Sequence, residues 1–141
     1  MSIQERVPVS TIMSTQLVVL NTSDSLEKAE RLFKKHHIRH IPVIQGKKIV
    51  GMLSLTDLLR ISFADGAYEE EDEVETVVYE MFTIPQVMAK KIKTVGPETT
   101  IKQVAELLSK EEFHALPIEE NGELVGIVTT TDLIRYLLKQ Y

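Results

Sequence analysis

The residues with the clearest chemical potential occur twice. Gly51-Met52-Leu53-Ser54-Leu55-Thr56-Asp57 returns 75 positions later as Gly126-Ile127-Val128-Thr129-Thr130-Thr131-Asp132. In each copy a glycine permits close approach of another backbone, and a small hydroxyl, Ser54 or Thr129, ends an apolar run. A second hydroxyl and an aspartate, Thr56-Asp57 or Thr131-Asp132, then open a helical pattern. A strand-to-helix turn of this kind presents free backbone N–H groups and the positive end of a helix dipole, which suits an anion such as phosphate. A carboxylate at that place offers two acceptor oxygens, enough for both hydroxyls of a ribose. The same residues have a purely architectural use. Thr56 and Thr131 can serve as helix N-caps, with Asp57 and Asp132 favoured by the dipole in the first turn.

The elements that must position these residues form part of a longer repeat. Met13–Ile61 aligns without gaps on Met88–Tyr136, with ten of 49 positions identical. Chance would give about three. The identities include Met13, Leu32, Pro42, Gly51 and Asp57 with their partners. In copy one, Leu26, Ala29, Leu32 and Phe33 recur at helical spacing over 25–37, and Ser23, Asp24 and Ser25 all suit an N-cap. Copy two places Ile101, Val104, Ala105 and Leu108 likewise over about 100–112. A strand follows at Arg39–Ile44, with Pro42 inside it marking an edge or a bulge. A turn, Gln45-Gly46-Lys47 or Glu120-Asn121-Gly122, then leads to a second strand at Ile49–Ser54 or Leu124–Thr129. Asn-Gly is a strong hairpin signal. A short strand at Leu17–Leu20 or Thr94–Val95 precedes the first helix. Each unit reads β-α-β-β-α, and the second helix is expected to begin near Thr56 or Thr131. A 49-residue unit buries little apolar surface alone, so the copies are expected to pack against each other. The division is 1–63 for the first repeat, 64–83 for a connecting segment and 84–141 for the second.

Composition narrows the functional classes. Apolar residues are 43% and charged residues 26% of 141, values of a globular chain. The longest apolar run, Leu17–Leu20, is far short of the roughly 18 residues a membrane span needs. Met1–Ser10 carries no apolar signal core, so export is not expected and a cytoplasmic location fits. Without cysteine there are no disulfides, zinc–thiolate sites, iron–sulfur clusters or thiol catalysis. The net charge of −5 argues against non-specific nucleic-acid binding. It arises locally: eight acidic groups and no Lys or Arg lie between Asp65 and Glu80, whereas residues 1–64 carry +4. No P-loop, G-x-G-x-x-G, H-E-x-x-H or G-x-S-x-G pattern is present, and no enzymatic activity or catalytic residue is expected.

The segments 38–60 (IRHIPVIQGKKIVGMLSLTDLLR) and 113–135 (FHALPIEENGELVGIVTTTDLIR), each following a helix and each preceded by a Met13 or Met88 element, resemble a pair of CBS domains, the tandem arrangement called a Bateman module. The resemblance covers about residues 7–138. It implies an α/β fold in which two β-α-β-β-α CBS repeats pack about a pseudo-twofold axis. It also implies clefts between the repeats that bind adenosine-containing ligands: AMP, ADP, ATP or S-adenosylmethionine. On the family pattern, Asp57 with Ser54 and Asp132 with Thr129 would hold the ribose and approach the phosphate, and Thr56 and Thr131 would touch the ligand. Val18–Leu20, centred on Val19, with Ile38–His40, and Thr94–Val95 with Phe113–Ala115, would frame the adenine. Arg39 and His40, and His114 in copy two, stand where the family reaches ligand phosphates. Such modules regulate an effector protein rather than catalyse. The resemblance thus implies an adenine nucleotide or S-adenosylmethionine as regulatory ligand, without a certain cofactor. The alternative is a ligand-free dimerisation module.

Three further features bear on partners. His36, His37 and His40 could be read as a metal cluster, but Pro42 ends the helical pattern before His40, so exposed helix-end imidazoles and no metal site are expected. Glu69–Glu73 reads as a solvated acidic linker, and Val74–Phe82 as a helix or arm packed on the module or a partner. Leu58, Leu59, Ile61, Leu133, Ile134, Leu137 and Leu138 give the second helices more apolar surface than one packing face needs, so a homodimer is expected. The copies also differ: Arg39-His40 precedes Ile41-Pro42, whereas His114-Ala115 precedes Leu116-Pro117. The site around Asp57 is therefore expected to be the better one for a phosphate-bearing ligand.

Overall fold

The computed structural model describes residues 6–66, 79–111 and 114–141. The chain divides into two compact units, Val18–Ile92 and Met1–Leu17 with Lys93–Tyr141. The opening residues of each copy, Met13–Leu17 and Met88–Ile92, therefore belong to the unit of the other copy.

In the unit Val18–Ile92, the elements are β1 (Leu20–Asn21), α1 (Leu26–His36), β2 (His40–Gln45), β3 (Lys48–Ser54), α2 (Leu55–Gly66) and a short α3 (Ile84–Val87). β1 runs parallel to β2, pairing Leu20 with Val43, and β2 pairs antiparallel with β3. Of the apolar run Leu17–Leu20 only Leu20 is buried and enters the ladder, and Asn21 follows it. Pro42 stands inside β2 opposite Met52, and the register shifts between Val43 and Ile44. The expected bulge is thus next to the proline, where the ladder already lacks a donor. Leu26, Ala29 and Phe33 of α1 are buried with Leu20, Ile41, Val43, Leu53 and Leu58, and Leu32 packs at the margin of that core. Tyr79, from the end of the connecting segment, joins the core and donates from its hydroxyl to Glu30 Oε2 at 2.5 Å. The acidic run Glu69–Glu73 and residues 74–78 lie outside the described residues.

The second unit repeats the grammar with α4 (Ile101–Lys110), β4 (Ala115–Glu120), β5 (Glu123–Thr129) and α5 (Thr130–Leu138). The expected strand Thr94–Val95 reduces to one parallel bridge between Val95 and Ile118. The hairpin β4–β5 closes on Asn121 and Gly122, both at positive φ (54° and 83°), as the right-handed twist of the strands requires. Val9, Val104, Leu116, Ile118 and Val128 form the core. Thr100 caps α4 in a capping box with Gln103.

Each unit is completed by a strap from outside its own repeat. Ala89 N–H and C=O exchange hydrogen bonds with Met52 of β3 at 2.9 and 3.0 Å. Ser14 does the same with Ile127 of β5 at 2.8 and 3.0 Å. Gly51 and Gly126 make this possible. A methyl group on Gly51 would collide with the Met88 sulfur and lie 2.9 Å from the Ala89 carbonyl oxygen. On Gly126 it would lie 2.5 Å from Met13 Sδ and 3.2 Å from the Ser14 carbonyl oxygen.

The turn between β1 and α1 is held by charge. Of the three candidate caps, Ser25 is the one used, accepting from Lys28 N–H at 3.1 Å. Asp24 instead accepts from Asn21 N–H at 2.7 Å and from Lys28 Nζ at 3.2 Å. Burial alone would push its carboxyl up, but the Asn21 N–H and the Lys28 ammonium outweigh burial and hold it below the ordinary 3.8. A depressed folded-state value adds stability above the unfolded-state value and loses it as pH falls through the folded one. Asp24→Ala is expected to cost about 1 kcal/mol at pH 7. The difference from wild type should shrink as the pH falls below about 4, as followed by urea unfolding across that range.

Candidate functional site

The two strand-to-helix junctions are built alike. At the first, β3 ends on Ser54, whose Oγ accepts from Asp57 N–H at 3.0 Å. Leu55 N–H donates to the Arg39 carbonyl at 2.9 Å, and Ser54 faces His40 across the ladder. These bonds bring Arg39 and His40 beside the N-terminus of α2, with Thr56 and Asp57 in its first turn. At the second junction, Thr130 N–H donates to the His114 carbonyl at 3.0 Å and Thr129 faces Ala115. His114, Thr129, Thr131 and Asp132 are thereby brought together at the N-terminus of α5.

The caps differ from the architectural reading of the sequence. Thr56 and Thr131 lie inside the helices, which begin at Leu55 and Thr130. The N-cap of α5 is Thr129, whose backbone is still extended (φ −120°, ψ 166°) and whose Oγ1 accepts from Asp132 N–H at 3.2 Å. A hydroxyl caps by reaching the N–H three residues ahead, so the last strand residue is the one placed to do it. Ser54 makes the equivalent bond in the first copy.

The aspartates stand in different surroundings. Asp132 Oδ2 accepts from both Thr129 N–H (2.9 Å) and Thr129 Oγ1 (3.1 Å), closing a capping box. Among the described residues, Asp57 Oδ1 meets only the long contact from Arg60 Nη1 at 3.5 Å, the arginine side chain being 72% and the aspartate 24% exposed. An exposed pair of that length adds little stability and exchanges readily for another donor.

The remaining sequence-predicted residues are spread more widely. Val19 immediately precedes β1, beside the start of the β1–β2 pairing. Thr94 lines a hollow of about 480 Å³ with Lys93, Gln103, Glu106 and Lys110. Arg39 also lines a separate hollow of about 400 Å³, with Phe33, His37, Leu58 and Tyr79 among its walls. Phe113 lies outside the described residues. His36 ends α1, His37 turns the chain at φ 53° and His40 opens β2, so the imidazoles do not share a helix face. The strap residues Met13, Ser14, Met88 and Ala89 were not among the expected site residues. Their sequence signal is the glycine inside each strand pattern, which marks a close backbone approach. Among the described residues no helix is long and apolar enough to cross a membrane.

The CBS domain model matches residues 9–64 and 84–139, and the chain belongs to the CBS domain family. A curated relative, inosine-5′-monophosphate dehydrogenase of Korarchaeum cryptofilum, is 30% identical over 83% of this chain and 21% of its own length. The chain spans less than half the length of the first curated relatives it matches. Among solved structures, CBSX2 in complex with AMP is 24% identical with a TM-score of 0.78, covering 95% of this chain and 98% of that one. The CBS domain pair of protein MJ0100, in complex with 5′-methylthioadenosine and S-adenosyl-L-methionine, is 22% identical with a TM-score of 0.77, covering 96% and 98%.

The capping geometry carries a direct expectation. Thr129→Ala should destabilise the protein by about 1 kcal/mol, whereas Thr131→Ala should stay within about 0.5 kcal/mol, both read from urea unfolding midpoints at pH 7.

Proposed function

We propose that the chain is a regulatory module that binds an adenosine-containing ligand of the AMP, ADP, ATP or S-adenosylmethionine class at the strand-to-helix junctions of its repeats. It passes occupancy to an effector protein by contact. The observation that carries this reading is the junction around Ser54. A hydroxyl, an aspartate and the N-terminus of α2 converge there with Arg39 and His40 alongside, the Leu55 and Asp57 N–H groups being engaged by the Arg39 carbonyl and Ser54 Oγ. That set supplies acceptors for a ribose diol and charge-assisted donors for a phosphate. The ligands of two neighbours with this fold, AMP in one and 5′-methylthioadenosine with S-adenosyl-L-methionine in the other, support the class.

The two junctions are unequal in this reading, and the one at Asp57 is the better site. A diol uses both oxygens of a carboxylate, and Asp132 Oδ2 is already engaged by two donors from Thr129. Asp57 gives up only an exposed contact with Arg60. Arg39 and His40 stand at the first junction where His114 and Ala115 stand at the second. Titration calorimetry with AMP tests this. Asp57→Ala should abolish the tighter event and Asp132→Ala should leave it. The opposite pattern would reassign the site, and no change in either variant would remove the ribose role from both aspartates.

A second copy of the chain is the proposed partner of the α5 face. Ile134, Leu137 and Leu138 are 53%, 54% and 65% exposed, and Leu59 of α2 is 42% exposed. Leu58 of α2 fills the packing face, a core residue at 1% exposure among side chains of α1 and β3. Light scattering at micromolar concentration should give a particle of twice the 16.0 kDa chain mass, and Ile134→Glu with Leu138→Glu should return it to one chain.

A further inference from the structure

The two straps share a feature that backbone pairing does not need. In each, a methionine sulfur fills the space left by a missing side chain: Met88 over Gly51 and Met13 over Gly126. The two arrangements are equivalent positions of the repeat, each setting a thioether against a glycine in the hairpin strand that leads to an aspartate junction. Met13 and Met88 are half-buried. Met52 is 8% exposed, and Met81, 63% exposed, packs in neither hollow.

We propose that Met13 and Met88 are a matched pair of oxidation sites, at which a hydroperoxide converts the thioether to a sulfoxide and loosens the strap. A sulfur lone pair attacks one peroxide oxygen. The S–O bond forms as the O–O bond breaks, the sulfur is oxidised by two electrons, and hydrogen peroxide leaves as water. The product is larger at sulfur, pyramidal and strongly polar. The Ala89 carbonyl oxygen borders the same space at Gly51, and the Ser14 carbonyl oxygen borders the space at Gly126. A carbonyl is an acceptor and donates nothing to a new S–O oxygen. The strap must shift to make room, and the strand bonds of Met52 with Ala89 and of Ile127 with Ser14 are the ones it strains. This inference is independent of the ligand reading, because its measurements use no nucleotide.

The test treats Met81→Leu protein with hydrogen peroxide and follows each methionine by peptide mass spectrometry alongside the melting temperature. Oxidation at Met13 and Met88 is expected ahead of Met52, with a fall in Tm of about 5 °C. Treatment with methionine sulfoxide reductases should restore the Tm. Protein that also carries Met13→Leu and Met88→Leu, a volume-conserving exchange, should keep its Tm through the same treatment. The proposal is overturned if both sulfoxides form and the Tm is unchanged. It is equally overturned if Met13 and Met88 stay reduced until Met52 is oxidised. Should the leucine variant fail to fold, reductase-reversible loss of Tm in the Met81→Leu protein decides the question alone.

Discussion

Two absent side chains govern the architecture. At Gly51 and Gly126 the backbone of a distant segment comes so near a hairpin strand that a methyl group would strike a methionine sulfur and crowd a carbonyl oxygen. Everything built on the straps follows from that approach. The strand pairs of Met52 with Ala89 and Ile127 with Ser14 form only at this distance, and they lie just before the hydroxyls that start the second helices. A larger residue at either glycine would move backbone against backbone, which a close-packed interior resists far more than it resists a rotamer change.

The aspartate junctions show how one sequence pattern yields two chemical situations. Both copies use a hydroxyl to cap the helix from the last strand residue. Only in the second does the aspartate bond back to that residue, so its carboxylate serves the fold. In the first, Asp57 leans toward a solvent-exposed arginine and its oxygens remain exchangeable. Capping and the proposed ribose contact call on the same acceptors, and the side chains around each copy decide how far the cap has already engaged them.

Much of this was legible in the sequence because it is local. The helical stripe Leu26, Ala29 and Phe33, the Asn121-Gly122 turn and the hydroxyl-to-aspartate spacing depend on neighbours a few positions apart. The caps were misplaced by two residues, since Ser54 and Thr129 read equally well as strand ends and only backbone geometry separates the roles. Leu58 is core and Leu59 exposed, a division the sequence leaves open because a helical pattern shows that a face is apolar, not what covers it. Thr94–Val95 kept a single bridge because pairing depends on a partner strand. The straps were the least legible, for they join residues far apart, and a lone glycine signals that something approaches without saying what.

The straps also order the events of folding. Val18–Ile92 contains both sides of its strap, so every partner it needs exists once Ile92 has been synthesised. In the other unit, Ser14 has no β5 partner until Ile127 has been synthesised. During translation the N-terminal arm must remain unpaired while the whole middle of the chain emerges and folds. Closing so long a loop is entropically costly and slow. All the residues of Val18–Ile92 are therefore available for folding before the unit that joins Ser14 to Ile127 can close.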